Sequence, residues 1–189
     1  MSDAQFRQSE TDKTYDLARK HMKGFHTALD IGCDVFQFAA KLEQDFDHVH
    51  CFDFRDKSNQ MTKFIKNKNK ITFHHTGLGE KEETKFTKPG VGRIKSDTMH
   101  GSSTLRVPVV PLDSFGLDEN IDFIKMDVEG YEPLVIKGAT KTIEHNNPVI
   151  LCEINRGDMS AKKLLEGMGY RCVDIYYKLG QPNDYLFIR

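Results

Sequence analysis

The chain has 189 residues, of which 27 are Lys or Arg and 28 Asp or Glu, giving a formal net charge of −1 at pH 7. That length supports one α/β domain with a sizeable core and falls short of two, and the balanced charge argues against a broad nucleic-acid surface while leaving room for a local patch. The opening MSDAQFRQSETDKTYD has no apolar core of signal-peptide length and no apolar run could span a bilayer, so the expectation is a cytosolic protein without membrane contact whose partner is a small molecule or a limited motif.

In chain order, Ser9 and Asp12 form a capping box before Tyr15, Ala18 and Met22 at helical spacing. This predicts a helical extension over residues 1–23, which could cover a ligand or mediate self-association, ahead of a single domain over 24–189. Residues 25–31 read as a first buried strand. After the turn at Gly32, Val35, Ala39, Leu42 and Phe46 recur on one face of a helix. A second strand spans 48–54, a helix lies near 56–68 with Lys63, Lys66, Lys68 and Lys70 as a solvated face, and a third strand spans 71–76. His74 and His75 are neighbours in that strand, so their side chains point to opposite faces and cannot grip one ion together.

Residues 77–104 break the alternation, with Gly77, Gly79, Gly90, Gly92 and Gly101 in a polar stretch that reads as an insertion or lid. Strands at 105–110 and 120–127, a helix to about 145, a strand at 149–154, a helix from about 158 to 168 and strands near 170–176 and 184–188 complete the chain. Strands alternating with helices imply a doubly wound, mainly parallel sheet between helix layers, with the last two strands close enough to pair antiparallel. Cys33, Cys51, Cys152 and Cys172 show no C-x-x-C spacing and read as buried thiols, so no metal site is expected.

The segment IDFIKMDVEGYEPLVIKGA at 121–139 carries the strongest functional signal. Its apolar run ends on Asp127 and Glu129, and Pro133 then fits the first turn of a helix whose apolar face is Leu134, Val135, Gly138 and Ala139. Carboxylates at a strand's carboxyl end are held by a rigid element yet reach solvent, where open α/β sheets bind ligands. The bland reading is that Asp127 caps the next helix and Glu129 is merely solvated.

With D-V-E-G at 127–130, K-G-A at 137–139, a Pro-led strand from Pro148 to Glu153, and DIGC at 30–33, the chain over roughly residues 25–189 resembles the FkbM family of S-adenosylmethionine-dependent methyltransferases. The resemblance implies the class I methyltransferase fold, a Rossmann-like three-layer α/β/α arrangement. It also implies S-adenosyl-L-methionine as cofactor and O-methylation of a hydroxyl on a small molecule, sugar or glycan. Three strand ends would hold that cofactor. Asp30, Gly32, Cys33 and Asp34 would cradle the methionine part, since glycine lets the backbone approach a ligand. Asp53, about twenty residues on, would accept both ribose hydroxyls, with Phe54 beside it in place of the family's F-E-P. Gly77 and Leu78 would flank the adenine, and Asp127 would close the site.

The family's turn D-x-G-A-N-x-G appears here with Asp34 for Asn and Phe36 for the last Gly. Phe36 would either crowd the methionine pocket or, if the helix starts slightly rotated, face the core. Asp34 would repel the cofactor's carboxylate and attract its ammonium or sulfonium. Aligning donor and acceptor is worth about 7–11 kcal/mol, whereas a general base adds typically about 10² to 10⁴ in rate. Positioning can therefore carry most of the reaction. The candidates for a base are Glu129 first, then Asp127 and Glu153. His100 to Leu105 resembles the family's G-S-S-L element, or is an ordinary Gly/Ser turn, and Arg93, Lys95 and Arg106 could hold an anionic group on the substrate.

Other classes fit less of the chain. A nicotinamide enzyme needs G-x-G-x-x-G, of which only Gly32 is present. A nucleic-acid methyltransferase would share the cofactor, but neither a D/N-P-P-Y/F motif nor a Pro-Cys pair occurs. A binding module that keeps the fold without catalysis is the remaining alternative.

Overall fold

The structure is a computed structural model that describes residues 3–94, 104–117, 120–154, 158–178 and 180–189, with side chains from residue 11 onward except at 182. The chain opens with α1 (Asp3–Arg19), β1 (Thr27–Ile31), α2 (Ala39–Asp45), β2 (His48–Asp53), α3 (Ser58–Phe64) and β3 (Ile71–His75). Two short strands follow, β4 (Gly77–Leu78) and β5 (Glu83–Thr87), then β6 (Leu105–Val110) and β7 (Ile121–Met126). Helices α4 (Glu132–Gly138) and α5 (Thr140–Asn146), strand β8 (Val149–Glu153) and helix α6 (Ser160–Gly167) lead to β9 (Arg171–Lys178) and β10 (Gln181–Ile188).

Seven strands form the main sheet in the order β3-β2-β1-β7-β8-β10-β9. The five from β3 to β8 are parallel, and β10 runs antiparallel to both of its neighbours. All five residues of β1 are buried, as expected of a central parallel strand covered on both faces. Its alternating side chains feed two cores. Leu29 and Ile31 join Ile124, Met126, Val135, Ile150 and Leu165 under α4 and α6. Ala28 faces the other way, with Tyr15, Leu42, Phe46, Val49 and Phe123 under α1 and α2. The chain runs outward from β1 through β2 to β3, then returns to place β7 on the other side of β1. The crevice for a ligand opens at that reversal, outside the carboxyl ends of β1 and β7.

Several boundaries move from the sequence expectation for identifiable reasons. Helix α1 runs through Ser9 and Asp12, so the capping box does not start it; Ala4, Gln5, Arg7 and Gln8 are good helix formers that carry the helix upstream. The helix expected to reach 68 ends at Phe64, because the buried Glu43 carboxylate takes the amides of Lys66 and Asn67 at 2.8 and 2.9 Å. Lys63, Lys66 and Lys68 are exposed, but Lys70 reaches back to donate to the carbonyls of Glu43 (3.1 Å) and Phe46 (2.6 Å) at the end of α2. The helix expected to run to about 145 divides at Ala139. A Cβ on Gly138 would lie 1.9 Å from the Gly79 carbonyl, so α4 ends pressed against that backbone. Within 77–104 the strands β4 and β5 pair with β6 in a separate three-stranded sheet. Among the described residues no helix is long and apolar enough to cross a membrane.

The pleat sets His48 and His50 on one face of β2 beside Thr72 and His74 of β3. His50 Nδ1 lies 2.9 Å from His74 Nε2, His48 Nε2 lies 2.9 Å from Thr72 Oγ1, and the His74 ring stacks on Phe52 at 4.4 Å. His75 faces away and pairs its Nε2 with the Phe54 carbonyl at 3.0 Å, so the two adjacent histidines do part to opposite faces. Burial, then the charges of His50 and His48, lower His74 to about 4 from its ordinary 6.5. The unfolded chain therefore binds a proton that the folded one refuses. His74 contributes stability above pH 6.5 that is lost as pH falls toward about 4. His74→Phe should flatten the fall in melting temperature across that window, measured by thermal unfolding at fixed ionic strength.

Candidate active site

The turn after β1 is held by a close approach that only glycine permits. Gly32 sits at φ +82, and a Cβ there would lie 1.8 Å from the carbonyl oxygen of Asp127, so the turn packs directly on the end of β7. The amides of Gly32 and Cys33 donate to the Phe52 carbonyl at 2.8 and 3.2 Å, and that of Asp34 donates to Asp53 Oδ2 at 3.1 Å. Those three N–H groups are spent inside the protein, so what they offer a ligand is side chains and carbonyls.

Asp34 (φ 42) and Phe36 (φ 66) keep the left-handed backbone that glycine would adopt freely. Phe36 nevertheless points into the core, with no exposed surface and its ring edge-on to Phe73 at 5.3 Å. Of the two orientations open to Phe36, the inward one is found, and the ligand crevice is not crowded by it. Helix α2 starts only at Ala39 as a result.

Beneath the turn lies Lys125, a residue hidden in the sequence by the apolar run around it. Its ammonium donates to the Gly32 carbonyl at 2.9 Å and sits 3.3 Å from Asp30 and 3.6 Å from Asp127. Burial would lower the ammonium, but the carboxylates of Asp30 and Asp127 outweigh it and raise it above the ordinary lysine range. Asp30 is fully buried. It supports the turn from below through Lys125 and does not line the crevice.

Asp53 ends β2 where the ribose contact was expected, with its side chain 2% exposed. Arg55 holds it on both edges: the amide and Nε donate to Oδ1 at 2.8 and 3.0 Å, and Nη2 donates to Oδ2 at 2.9 Å. Arg55 Nη2 also lies 3.3 Å from Asp34, whose carboxylate is paired with Lys57 as well. Burial opposes ionisation of Asp34, yet Lys57 and Arg55 win and hold its carboxyl below the usual range.

The D-V-E-G segment turns sharply after β7. Glu129 (φ 57) and Gly130 (φ 94) both lie in the left-handed region, which carries the exposed Glu129 back toward β8. Ligand oxygens of Asp127, Glu129 and Glu153 all lie within 4.8 Å of one another, the group among the described residues whose geometry could converge on a cation. Asp127 does not cap the next helix. No side chain caps that helix; Glu132, its first residue, instead ties the preceding turn, its Oε1 accepting from the amides of Val128 (2.9 Å) and Gly130 (3.3 Å). Glu153 Oε2 is shut off from solvent with no donor among the described residues. Burial, then the charge of Asp127 and a hydrogen bond to it, push Glu153 up to about 9. At neutral pH Glu153 therefore keeps its proton.

These groups border two connected spaces. The larger, about 480 Å³, is walled by Gly32, Cys33, Asp34, Lys125, Asp127, Glu129 and Glu153, by Thr11 and Thr14 of α1, and by Tyr176, Lys178, Asn183 and Asp184 of the closing strand pair. The smaller, about 30 Å³, lies among Asp53, Phe54, Gly77, Leu78, Ile94, Val128 and Tyr131. Gly32, Arg55, Gly92 and Asp127 border both. Sequence reading found the strand-end acids and glycines. It anticipated a helix over the ligand but missed Arg55, Lys125, Asp184 and the α1 residues that form the wall, Thr11 and Thr14, which lie three apart on one helix face, a spacing that was available as a signal. Arg93 and Arg106 are exposed and border neither space. Lys95 and residues 100–103 of the G-S-S-L element lie outside the described residues. Cys33, Cys51 and Cys152 are buried as expected, whereas Cys172 is half-buried.

The residues present fit an adenosyl amino acid. Phe54, Leu78, Ile94 and Val128 provide apolar walls suited to an adenine ring, the Asp53 carboxylate stands beside them as a hydroxyl acceptor, and the glycine turn borders both spaces.

Comparison with known proteins agrees with this arrangement. The model of the methyltransferase FkbM domain matches residues 20–172. No curated protein matches the chain. Among solved structures, a methyltransferase FkbM from Methylobacillus flagellatus superposes with TM-score 0.60 at 20% identity, covering 87% of this chain and 43% of that one. The chain thus spans less than half the length of that relative. The N-methyltransferase NodS from Bradyrhizobium japonicum gives TM-score 0.58 at 12% identity, covering 100% and 98% of the two chains. A putative tRNA (m1A22) methyltransferase from Streptococcus pneumoniae, in complex with S-adenosyl-L-methionine, gives 0.58 at 13%, covering 94% and 71%. At these identities the likeness is one of fold, and it bears out the Rossmann-like class I architecture.

Two outcomes follow from the site's geometry. Replacing Phe36 by glycine relieves a left-handed strain of roughly 1–2 kcal/mol but forfeits a buried ring whose truncation costs about 3–5 kcal/mol. Phe36→Gly should therefore lower unfolding free energy by about 1–4 kcal/mol in denaturant titrations. For Glu153 the folded state holds a proton that the unfolded chain releases near 4.5, so its contribution is full below that pH and declines as pH rises toward about 9. Glu153→Gln should remove this decline, giving a higher melting temperature than the wild type at pH 8 and a similar one at pH 4.

Proposed function

The chain belongs to the methyltransferase FkbM family, and from that premise we propose that it transfers a methyl group from S-adenosyl-L-methionine to a hydroxyl of a small polar molecule, sugar or glycan in the cytosol. The observation that carries this reading is the convergence of Asp127, Glu129 and Glu153 at the ends of β7 and β8, facing the 480 Å³ space beside the glycine turn.

S-adenosyl-L-methionine supplies an activated methyl group on a sulfonium. The protein's part is to bind, orient and move one proton. Asp53 accepts the ribose hydroxyls, Phe54, Leu78 and Val128 flank the adenine, and the turn from Gly32 to Asp34 receives the methionine end. The larger space receives the acceptor. Its walls carry Thr11, Thr14, Gln37 and Asn183, suited to hydrogen-bonding a hydroxylated molecule. They also carry Asp34, Asp127, Glu129 and Asp184 against the cations Arg55, Lys125 and Lys178, so no positive excess is there to hold a polyanion such as nucleic acid. Helix α1, through Thr11 and Thr14, and the 77–104 segment, through Gly92 and Ile94, serve as cover over the two spaces.

The three carboxyls divide the acid–base work by environment. Glu153 holds its proton, and Asp127 lies between it and the Lys125 ammonium, 3.6 Å from the latter. Glu129 is the exposed carboxylate left to take the proton of the attacking hydroxyl. Its left-handed backbone is the kind of strain that clusters at functional sites.

With a panel of polyols and glycosides as acceptors, Glu129→Gln should lower turnover by about 10² to 10⁴ while leaving cofactor affinity unchanged. Full turnover by the variant over a saturating pH range would remove Glu129 from the role of base. Absence of methyl transfer to any hydroxylated acceptor by a wild type that binds cofactor would favour a binding module.

A further inference from the structure

The carboxylate placed to receive the ribose already has a ligand supplied by the protein. Asp53 has two oxygens, each with two lone-pair directions. Oδ1 accepts from the amide and Nε of Arg55, and Oδ2 accepts from Arg55 Nη2 and the Asp34 amide. All four directions are filled, and three of the donors belong to Arg55. A ribose diol offers the same pattern of paired donors along one carboxylate edge. Diol and guanidinium therefore compete for the same oxygens.

Two further observations place Arg55 across the path of the cofactor. Its side chain borders both spaces, so it stands where the nucleoside would join the amino-acid end. Gly92, which also borders both spaces, lies beside it, where even a built Cβ would meet Nη1 only at the ordinary contact distance of 3.5 Å. With Arg55 in this position the adenine side holds about 30 Å³, against about 480 Å³ on the other side of the guanidinium.

We propose that Arg55 is an internal competitor for the cofactor's ribose and that it sets cofactor affinity. It leaves Asp53 when the diol binds and moves onto Asp34, which already lies 3.3 Å from Nη2. The proposal rests on the reading of Asp53 as the ribose ligand. Because the conformation with Asp53 released is a minor one, the apparent affinity falls by the fraction of molecules in it. Weakening the guanidinium's grip raises that fraction without adding any contact to the cofactor.

The test is calorimetric titration of the full chain with S-adenosylhomocysteine and, separately, with adenosine and 2′,3′-dideoxyadenosine. Arg55→Met should bind S-adenosylhomocysteine at least about tenfold more tightly than the wild type, since the released fraction approaches one. Arg55→Lys keeps a cation but not the paired donors, so it should show a smaller gain and keeps the test open if the methionine variant leaves Asp53 too exposed to fold. The gain should appear with adenosine and be absent with the dideoxynucleoside, a dependence that general loosening of the fold would not produce. Affinity that is unchanged or weaker in both variants overturns the proposal. Asp53→Asn separates the two readings: weaker binding in that variant beside no gain in Arg55→Met leaves the ribose contact standing and removes the competitor, whereas unchanged binding in Asp53→Asn removes both.

Discussion

The site depends on one buried ammonium. Lys125, near the end of β7, touches the Gly32 carbonyl and stands beside Asp30 of β1 and Asp127 of its own strand. β1 and β7 are the strands between which the crevice opens, and without a cation between them the fully buried Asp30 would be left with no opposite charge beside Asp127. Removing one member of such a buried cluster costs about 3–5 kcal/mol, because the charge left behind has no partner. The ammonium thereby fixes the height of the glycine turn relative to the D-V-E-G turn. Every distance across the crevice inherits that setting.

Around this point the backbone is strained in a consistent way. Asp34, Phe36 and Glu129 are all non-glycine residues at positive φ. Such conformations persist only where the surroundings over-determine them. For Phe36 the surroundings are the aromatic core on the α2 side, including Phe73, where the buried ring outweighs the torsional cost. For Glu129 they are the Glu132 tie to the amides of Val128 and Gly130, which closes the turn tightly enough to swing the carboxylate toward β8. The left-handed positions are thus bought by packing in one turn and by hydrogen bonding in the other.

Charge is partitioned along the crevice. On the β2 side, Asp34 and Asp53 are matched by Arg55 and Lys57, and those cations hold the Asp34 carboxyl below its usual range. On the β8 side, Asp127, Glu129, Glu153 and Asp184 have fewer cations near them, and burial forces Glu153 to keep its proton. One end is arranged to exchange a paired cation for hydroxyl donors, and the other to hold and accept protons. Both come from acids at strand ends; what distinguishes them is the company each keeps.

The alternation of strands and helices, the glycine turn at Gly32, and the acids at Asp53, Asp127 and Glu153 were legible in the sequence because each is a local property. An apolar run, a residue that alone tolerates a contact or torsion, and a carboxylate at the end of a run are written within a few neighbouring positions. The family resemblance rested on the same local patterns. Tertiary structure decided the rest. Whether Phe36 faced the crevice or the core depended on β3, which contributes Phe73. Arg55 on Asp53 is a contact between residues two apart, and what tertiary structure added was Asp34 from the turn after β1, which meets both. Lys125 acquired its role only when β1 was laid beside it, and Glu153 took its proton only when β8 came to rest against Asp127. The sequence by itself determined which groups stand at the strand ends; the order of strands across the sheet decided which of them meet, because a buried charge takes its state from neighbours distant along the chain.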